Sequence, residues 1–113
     1  MSLEVRPAQV DACVAFWALL GFARVEPPPA LRDRAAWVER EGTQVHLMHV
    51  DDPVVPSQGH AAVVAPEYER ALTALRDAGF APEPRREHWG APRSFVRDPA
   101  GHRVEVMAAP PPG

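Results

Sequence analysis

The chain carries an internal repeat. Gly21-Phe22 returns as Gly79-Phe80 (79 − 21 = 58), and Trp37-Val38 returns as Phe95-Val96 (95 − 37 = 58). After one extra residue, Gln44-Val45-His46-Leu47-Met48 returns as Arg103-Val104-Glu105-Val106-Met107 (105 − 46 = 59). A duplicated module relates its two copies by a pseudo-two-fold axis, so polar residues at equivalent strand positions are expected to converge. The constant offset pairs Ser2 with His60 and His46 with Glu105. Two histidines and one carboxylate make a metal-ligand set.

With 113 residues, the chain suits one domain, because either half alone would bury too little apolar surface to be stable. The net charge of −3 lacks the basic excess that nucleic-acid binding needs. No apolar run approaches the length of a membrane span, and the first residues do not have the form of a signal peptide. The single cysteine, Cys13, cannot form an intrachain disulfide and points to a reducing compartment. A cytoplasmic protein is expected, with neither nucleic acid nor membrane as partner.

Each half reads as strand, helix, strand, strand, strand. In the first, Leu3–Arg6 is a strand and Gln9–Leu20 a helix, with Val10, Cys13, Val14, Trp17 and Leu20 at helical spacing and Gly21 as its stop. Strands follow at Phe22–Glu26, Ala35–Glu39 and Gln44–Val50, the last two joined through Glu41-Gly42. In the second, His60–Ala65 is a strand, and a helix begins near Pro66 and buries Tyr68, Ala71, Leu72 and Leu75. Phe80–Glu83 is a short strand and Pro84–Pro92 a loop. Ser94–Arg97 and His102–Met107 form a hairpin whose turn, Asp98-Pro99-Ala100-Gly101, has type I residues. The expected organisation is one domain over residues 1–113: module one at about 1–50, a linker at 51–59, module two at about 60–108 and a disordered tail at 109–113. The fold class is α+β, with two βαβββ modules pairing into a curved mixed sheet, helices outside, and a concave cleft for a small molecule.

This pattern resembles the vicinal oxygen chelate superfamily, which includes glyoxalase I, fosfomycin-resistance transferases, extradiol dioxygenases and bleomycin-resistance proteins. Ala15-Phe16-Trp17 with Leu20-Gly21-Phe22 and the run Arg93-Ser94-Phe95-Val96-Arg97-Asp98-Pro99-Ala100-Gly101-His102-Arg103-Val104-Glu105 carry the resemblance. It covers nearly the whole chain up to Met107 and specifies a fold rather than a reaction. In metal-using members, ligands come from the first and last strand of each module. By position these are Ser2, His46, His60 and Glu105. Serine is a poor ligand, and Glu4, two residues on and on the same strand face, is its substitute.

Two functions stay open. One is a metal-dependent glyoxalase- or dioxygenase-like enzyme, acting as a lyase, isomerase or dioxygenase, in which His46, His60 and Glu105 hold zinc, nickel, manganese or iron. The substrate would chelate through two neighbouring oxygens, and Glu105 would serve as the catalytic base. The other is a bleomycin-resistance-like protein that sequesters a planar cation without a metal, aided by the net negative charge. In either case Trp37, Trp89 and Phe95 are expected to stack on the ligand, and Arg93 to grip a carboxylate or phosphonate. Without a metal, the carboxylate of Glu105 needs a cationic partner, for which Arg103 and Arg6 are the candidates. His49 and His102 are expected at the surface. The resemblance also implies a homodimer.

Overall fold

In the computed structural model, which describes residues 1–112, the chain divides into two compact units, Met1–Val55 and a second from Pro56 onward. In the first unit the strands are β1 (Ser2–Val5), β2 (Ala23–Val25), β3 (Ala35–Arg40) and β4 (Thr43–His49), with helix α1 (Val10–Leu19) after β1. In the second they are β5 (Ala61–Val64), β6 (Glu83–Arg85), β7 (Arg93–Arg97) and β8 (Arg103–Met107), with helix α2 (Tyr68–Asp77) after β5. The first sheet has the order β1-β4-β3-β2 and the second β5-β8-β7-β6. In each, the first strand lies parallel to the last and the other pairs are antiparallel. The α+β reading and the βαβββ order of each half are therefore borne out.

Strand alternation separates core from working face in both units. In unit one, Val45 and Leu47 of β4, Val38 of β3 and Val5 of β1 are fully buried, together with Cys13, Phe16 and Trp17 of α1. Trp17 makes edge-to-face contacts with Phe16 and Phe22 at 5.5 and 5.2 Å. In unit two, Val96, Val104, Val106, Ala61 and Val63 are buried with Leu72 and Leu75 of α2. The hydroxyls of Tyr68 on α2 and Ser94 on β7 are hydrogen-bonded to each other in that core. The alternate residues, Trp37 and His46 in unit one and Phe95 and Glu105 in unit two, lie on the opposite face.

Both helices end on glycines with positive φ, Gly21 (+88°) and Gly79 (+94°), as helix stops favour. Glu41 and Gly42, with φ of 49° and 84°, make the β3–β4 turn. At the β7–β8 turn, Asp98 Oδ1 accepts the backbone N–H groups of Ala100 and His102 at 3.0 and 2.8 Å. Burial pushes the Asp98 carboxyl up, against the opposing pull of these N–H groups and of His102.

Several expectations change. The sixth strand is Glu83–Arg85, not Phe80–Glu83. Proline on both sides of Glu83 masks it, and only an edge strand tolerates Pro84. His102 is buried, at 3% exposure, because the Asp98 cap folds the turn back over it. The Nε2 of His49 is also buried and has no hydrogen-bond partner among the described residues. The constant repeat offset fails at the first strand. Ser2 lies opposite His46, whereas Ala62 lies opposite Glu105, so β1 matches β5 at an offset of 60 (62 − 2). A 3₁₀ turn at Pro7–Gln9 leads into α1, and by Gly79 the offset has returned to 58. Hence His60 lies two residues ahead of the position equivalent to Ser2.

Candidate functional site

The working face of unit two is organised around Glu105. Its side chain is 10% exposed and both of its oxygens are engaged: Oε1 lies 2.9 Å from His60 Nε2 and Oε2 3.4 Å from Arg93 Nη1. Phe95 lies directly opposite Glu105 in the β7–β8 register, and Arg93 reaches the carboxylate from the diagonal position, a distance that long side chains span. His60 meets the Phe95 ring edge-on at 4.9 Å. This placement assigns the arginine partner of Glu105 to Arg93, rather than to Arg103 or Arg6. Arg103 instead lies over the Phe95 ring at 4.3 Å.

The proton inventory of His60 is informative. Its Nδ1 lies 2.9 Å from the Gln58 carbonyl oxygen and its Nε2 2.9 Å from a carboxylate oxygen. Both neighbours are acceptors, yet a neutral imidazole has one N–H to donate. A proton or a metal ion between Nε2 and Oε1 would satisfy both contacts. A carbonyl at Nδ1 is also the outer contact that metal-binding histidines commonly make. The 2.9 Å separation of Nε2 and Oε1 is that of a hydrogen bond. The donor set, one imidazole and one carboxylate, suits a divalent transition metal.

In unit one, the His46 ring stacks on Trp37 with centroids 3.8 Å apart and a 7° interplanar angle. Gln44 Nε2 donates to Glu39 Oε1 at 2.8 Å, which turns Gln44 Oε1 toward His46 Nε2 at 2.9 Å. Because that oxygen only accepts, His46 carries its hydrogen on Nε2 and keeps the lone pair on Nδ1. Burial, then the nearby N-terminal ammonium group, push His46 below the usual imidazole range. Glu4 Oε1 accepts the Val54 N–H at 2.8 Å. Trp89 Nε1 donates to the Ala109 carbonyl at 3.2 Å. The structure thus brings together His60, Glu105, Arg93 and Phe95, and separately Trp37 with His46. Among the described residues, no three His, Cys, Asp or Glu side chains are grouped so as to hold a metal, and no helix is long and apolar enough to cross a membrane.

Arg85 falls in the stretch expected from sequence to be a loop, and the arginines gathered on Phe95 are a feature of the fold that the sequence pattern did not predict. Besides Arg103, Arg93 and Arg85 approach the ring at 5.5 and 5.8 Å. The available signal was the placement of Arg93, Phe95, Arg97 and Arg103 at one strand parity.

Comparison with known proteins agrees with this architecture. The family model "Glyoxalase/Bleomycin resistance protein/Dioxygenase superfamily" matches residues 2–106. A glyoxalase family protein from Bacillus anthracis superposes with a TM-score of 0.85 at 18% identity, covering 94% of this chain and 88% of that one. A lactoylglutathione lyase from Agrobacterium tumefaciens gives 0.71 at 22% identity, covering 95% and 89%. A bleomycin resistance determinant encoded on transposon Tn5 gives 0.65 at 14% identity, covering 95% and 94%. At these identities the likeness is one of fold. No curated protein matches the chain.

Proposed function

Since the chain belongs to the Glyoxalase/Bleomycin resistance protein/Dioxygenase superfamily, we propose that it is a small metal-dependent enzyme whose divalent ion is held by His60 and Glu105. The observation that carries this reading is the pair of acceptors on either side of His60, the Gln58 carbonyl and Glu105 Oε1, each 2.9 Å from a ring nitrogen. A bound divalent ion supplies a Lewis acid that polarises two neighbouring oxygens of the substrate.

The chain's own groups do the rest. Donation of Nδ1–H to the Gln58 carbonyl would leave the His60 Nε2 lone pair free to hold the ion. Glu105 is the catalytic base and accepts a substrate proton on its carboxylate. Arg93 donates to Oε2, which places a guanidinium where a substrate oxyanion would lie. Phe95 gives the floor of this face an apolar surface.

A second reading is a metal-free binding protein. It is favoured by the fact that Arg93 and His60 already occupy both oxygens of Glu105. The local charge restricts it, however: three guanidinium groups surround Phe95, which disfavours a cationic ligand there despite the net charge of −3. Metal analysis of tag-free protein by plasma mass spectrometry, followed by zinc, nickel, manganese and anaerobic ferrous titration, separates the two. Near-stoichiometric uptake supports the enzyme, and absence of uptake for every metal supports the binder.

A further inference from the structure

The sheet of unit two contains two like-charged cross-strand pairs. Arg85 lies directly opposite Arg93, and Arg97 directly opposite Arg103. Like charges in such positions destabilise a sheet unless something compensates them. For the first pair the compensation is present: Arg85 bonds Glu83 at 3.2 Å and Arg93 bonds Glu105 at 3.4 Å. For the second it is not. Arg97 Nη1 donates to the Gly101 carbonyl at 2.8 Å, a neutral acceptor. Arg103 lies 4.3 Å from the centre of the Phe95 ring, and its guanidinium has no hydrogen bond or ion pair among the described residues. A pocket of about 120 Å³, lined by Glu83, Arg85, Phe95, Arg97 and Arg103 among others, opens at this second pair.

We propose that this pocket is an oxyanion subsite, in which Arg97 and Arg103 hold the carboxylate or phosphonate group of a small organic ligand beside Phe95. Arginine presents a planar fork of donors that matches both head groups. Stacking on Phe95 holds Arg103 in place before the ligand arrives, so little side-chain freedom remains to be lost on binding. The inference rests on the enzyme reading only in naming this face as the substrate face. It assigns to the substrate an anionic group on the Arg103 side of Phe95, apart from the oxygens that would meet a metal.

The test is titration of phenylphosphonate into the full-length protein, followed by heteronuclear NMR and calorimetry. EDTA is included throughout so that no metal contributes. Methylphosphonate, benzoate and inorganic phosphate form parallel arms, and benzyltrimethylammonium is the cationic control. Saturable phenylphosphonate binding is expected, with shifts centred on Phe95, Arg97 and Arg103. Arg103→Met should weaken it at least tenfold and Arg103→Lys less, with far-UV circular dichroism unchanged. Arg97→Gln, on an exposed side chain, provides a second variant expected to weaken binding in the same direction. Tighter binding of the ammonium control, undiminished binding in both the Arg103→Met and Arg97→Gln variants, or no binding of any anion would overturn the proposal. Binding of inorganic phosphate equal to that of phenylphosphonate would also overturn it, because it would leave no organic ligand class. Since metal is excluded, each of these outcomes is independent of whether His60 and Glu105 bind an ion.

Discussion

Replacing Arg93 by Met tests the electrostatic core of the site. The substitution removes the 3.4 Å link to Glu105, the 2.9 Å bond from Nε to the Arg86 carbonyl, and the 5.5 Å approach to the Phe95 ring. A hydrogen bond to a charged group contributes about 1.5–3 kcal/mol, and the long Glu105 link belongs at the low end, about 1.5 kcal/mol. The exposed bond to Arg86 adds less than about 1 kcal/mol, and the ring contact about 0.5 kcal/mol. The variant should therefore lose about 2–3 kcal/mol in urea unfolding followed by circular dichroism at pH 7.5 in EDTA. In a double-mutant cycle with Glu105→Gln, about 1–1.5 kcal/mol should appear as coupling. Once Arg93 no longer competes with the ion for the charge of Glu105, divalent-metal affinity should also rise, by about tenfold for each 1.4 kcal/mol of released coupling. A coupling below about 0.3 kcal/mol would refute Arg93 as the counter-ion of Glu105. Weaker metal binding in the Arg93→Met variant would refute the competition.

The two helix-stop glycines separate strain from contact. Gly79→Ala meets only the cost of its positive φ, about 1 kcal/mol, because nothing lies within 4 Å of a Cβ there. Gly21→Ala should cost more in the same urea assay, since its Cβ would lie 3.1 Å from Arg40 Cδ and Arg40 holds the Leu20 carbonyl at 2.8 Å; equal costs would contradict this. Asp98→Ala frees two backbone N–H groups at the β7–β8 turn and should lower stability by about 1–2 kcal/mol, with amide exchange at Ala100 and His102 as the local readout. His46 is shifted below its ordinary value of 6.5 in the folded protein, so the unfolded chain takes up that proton more readily. The His46 contribution is therefore present above pH 6.5 and lost as pH falls from 6.5 toward the folded value. Melting curves from pH 5 to 8 should show the difference between wild type and His46→Gln changing below about pH 6.5; a difference constant with pH would contradict the burial argument.

Much of this was legible in the residues. Gly-Phe after each helix, the Glu41-Gly42 turn and the Asp-Pro-Ala-Gly turn are local chemistry, and local chemistry sufficed to place α1, α2 and the two hairpins. The pairing of His60 with Glu105 followed from the duplication together with the family resemblance, although the offset argument that linked His60 to Ser2 was not met by the strand register. What stayed hidden depended on register and side-chain reach. Arg93 and Arg103 are both two positions removed from Glu105, one across strands and one along the strand, and only the packed ring of Phe95 decides which bonds the carboxylate and which stacks. Burial of His102 likewise depends on a cap made by a residue four positions earlier, which hydropathy alone does not reveal.

The most direct test of the account is calorimetric titration of zinc, nickel and manganese, and of ferrous iron under anaerobic conditions, into chelator-stripped wild type, His60→Ala and Glu105→Gln. The account predicts about one ion per chain in the wild type for at least one metal. It also predicts affinity lower by orders of magnitude in both variants, whose far-UV spectra stay native. Wild-type affinity retained in either variant, or no binding of any of these ions to the wild type, would contradict it.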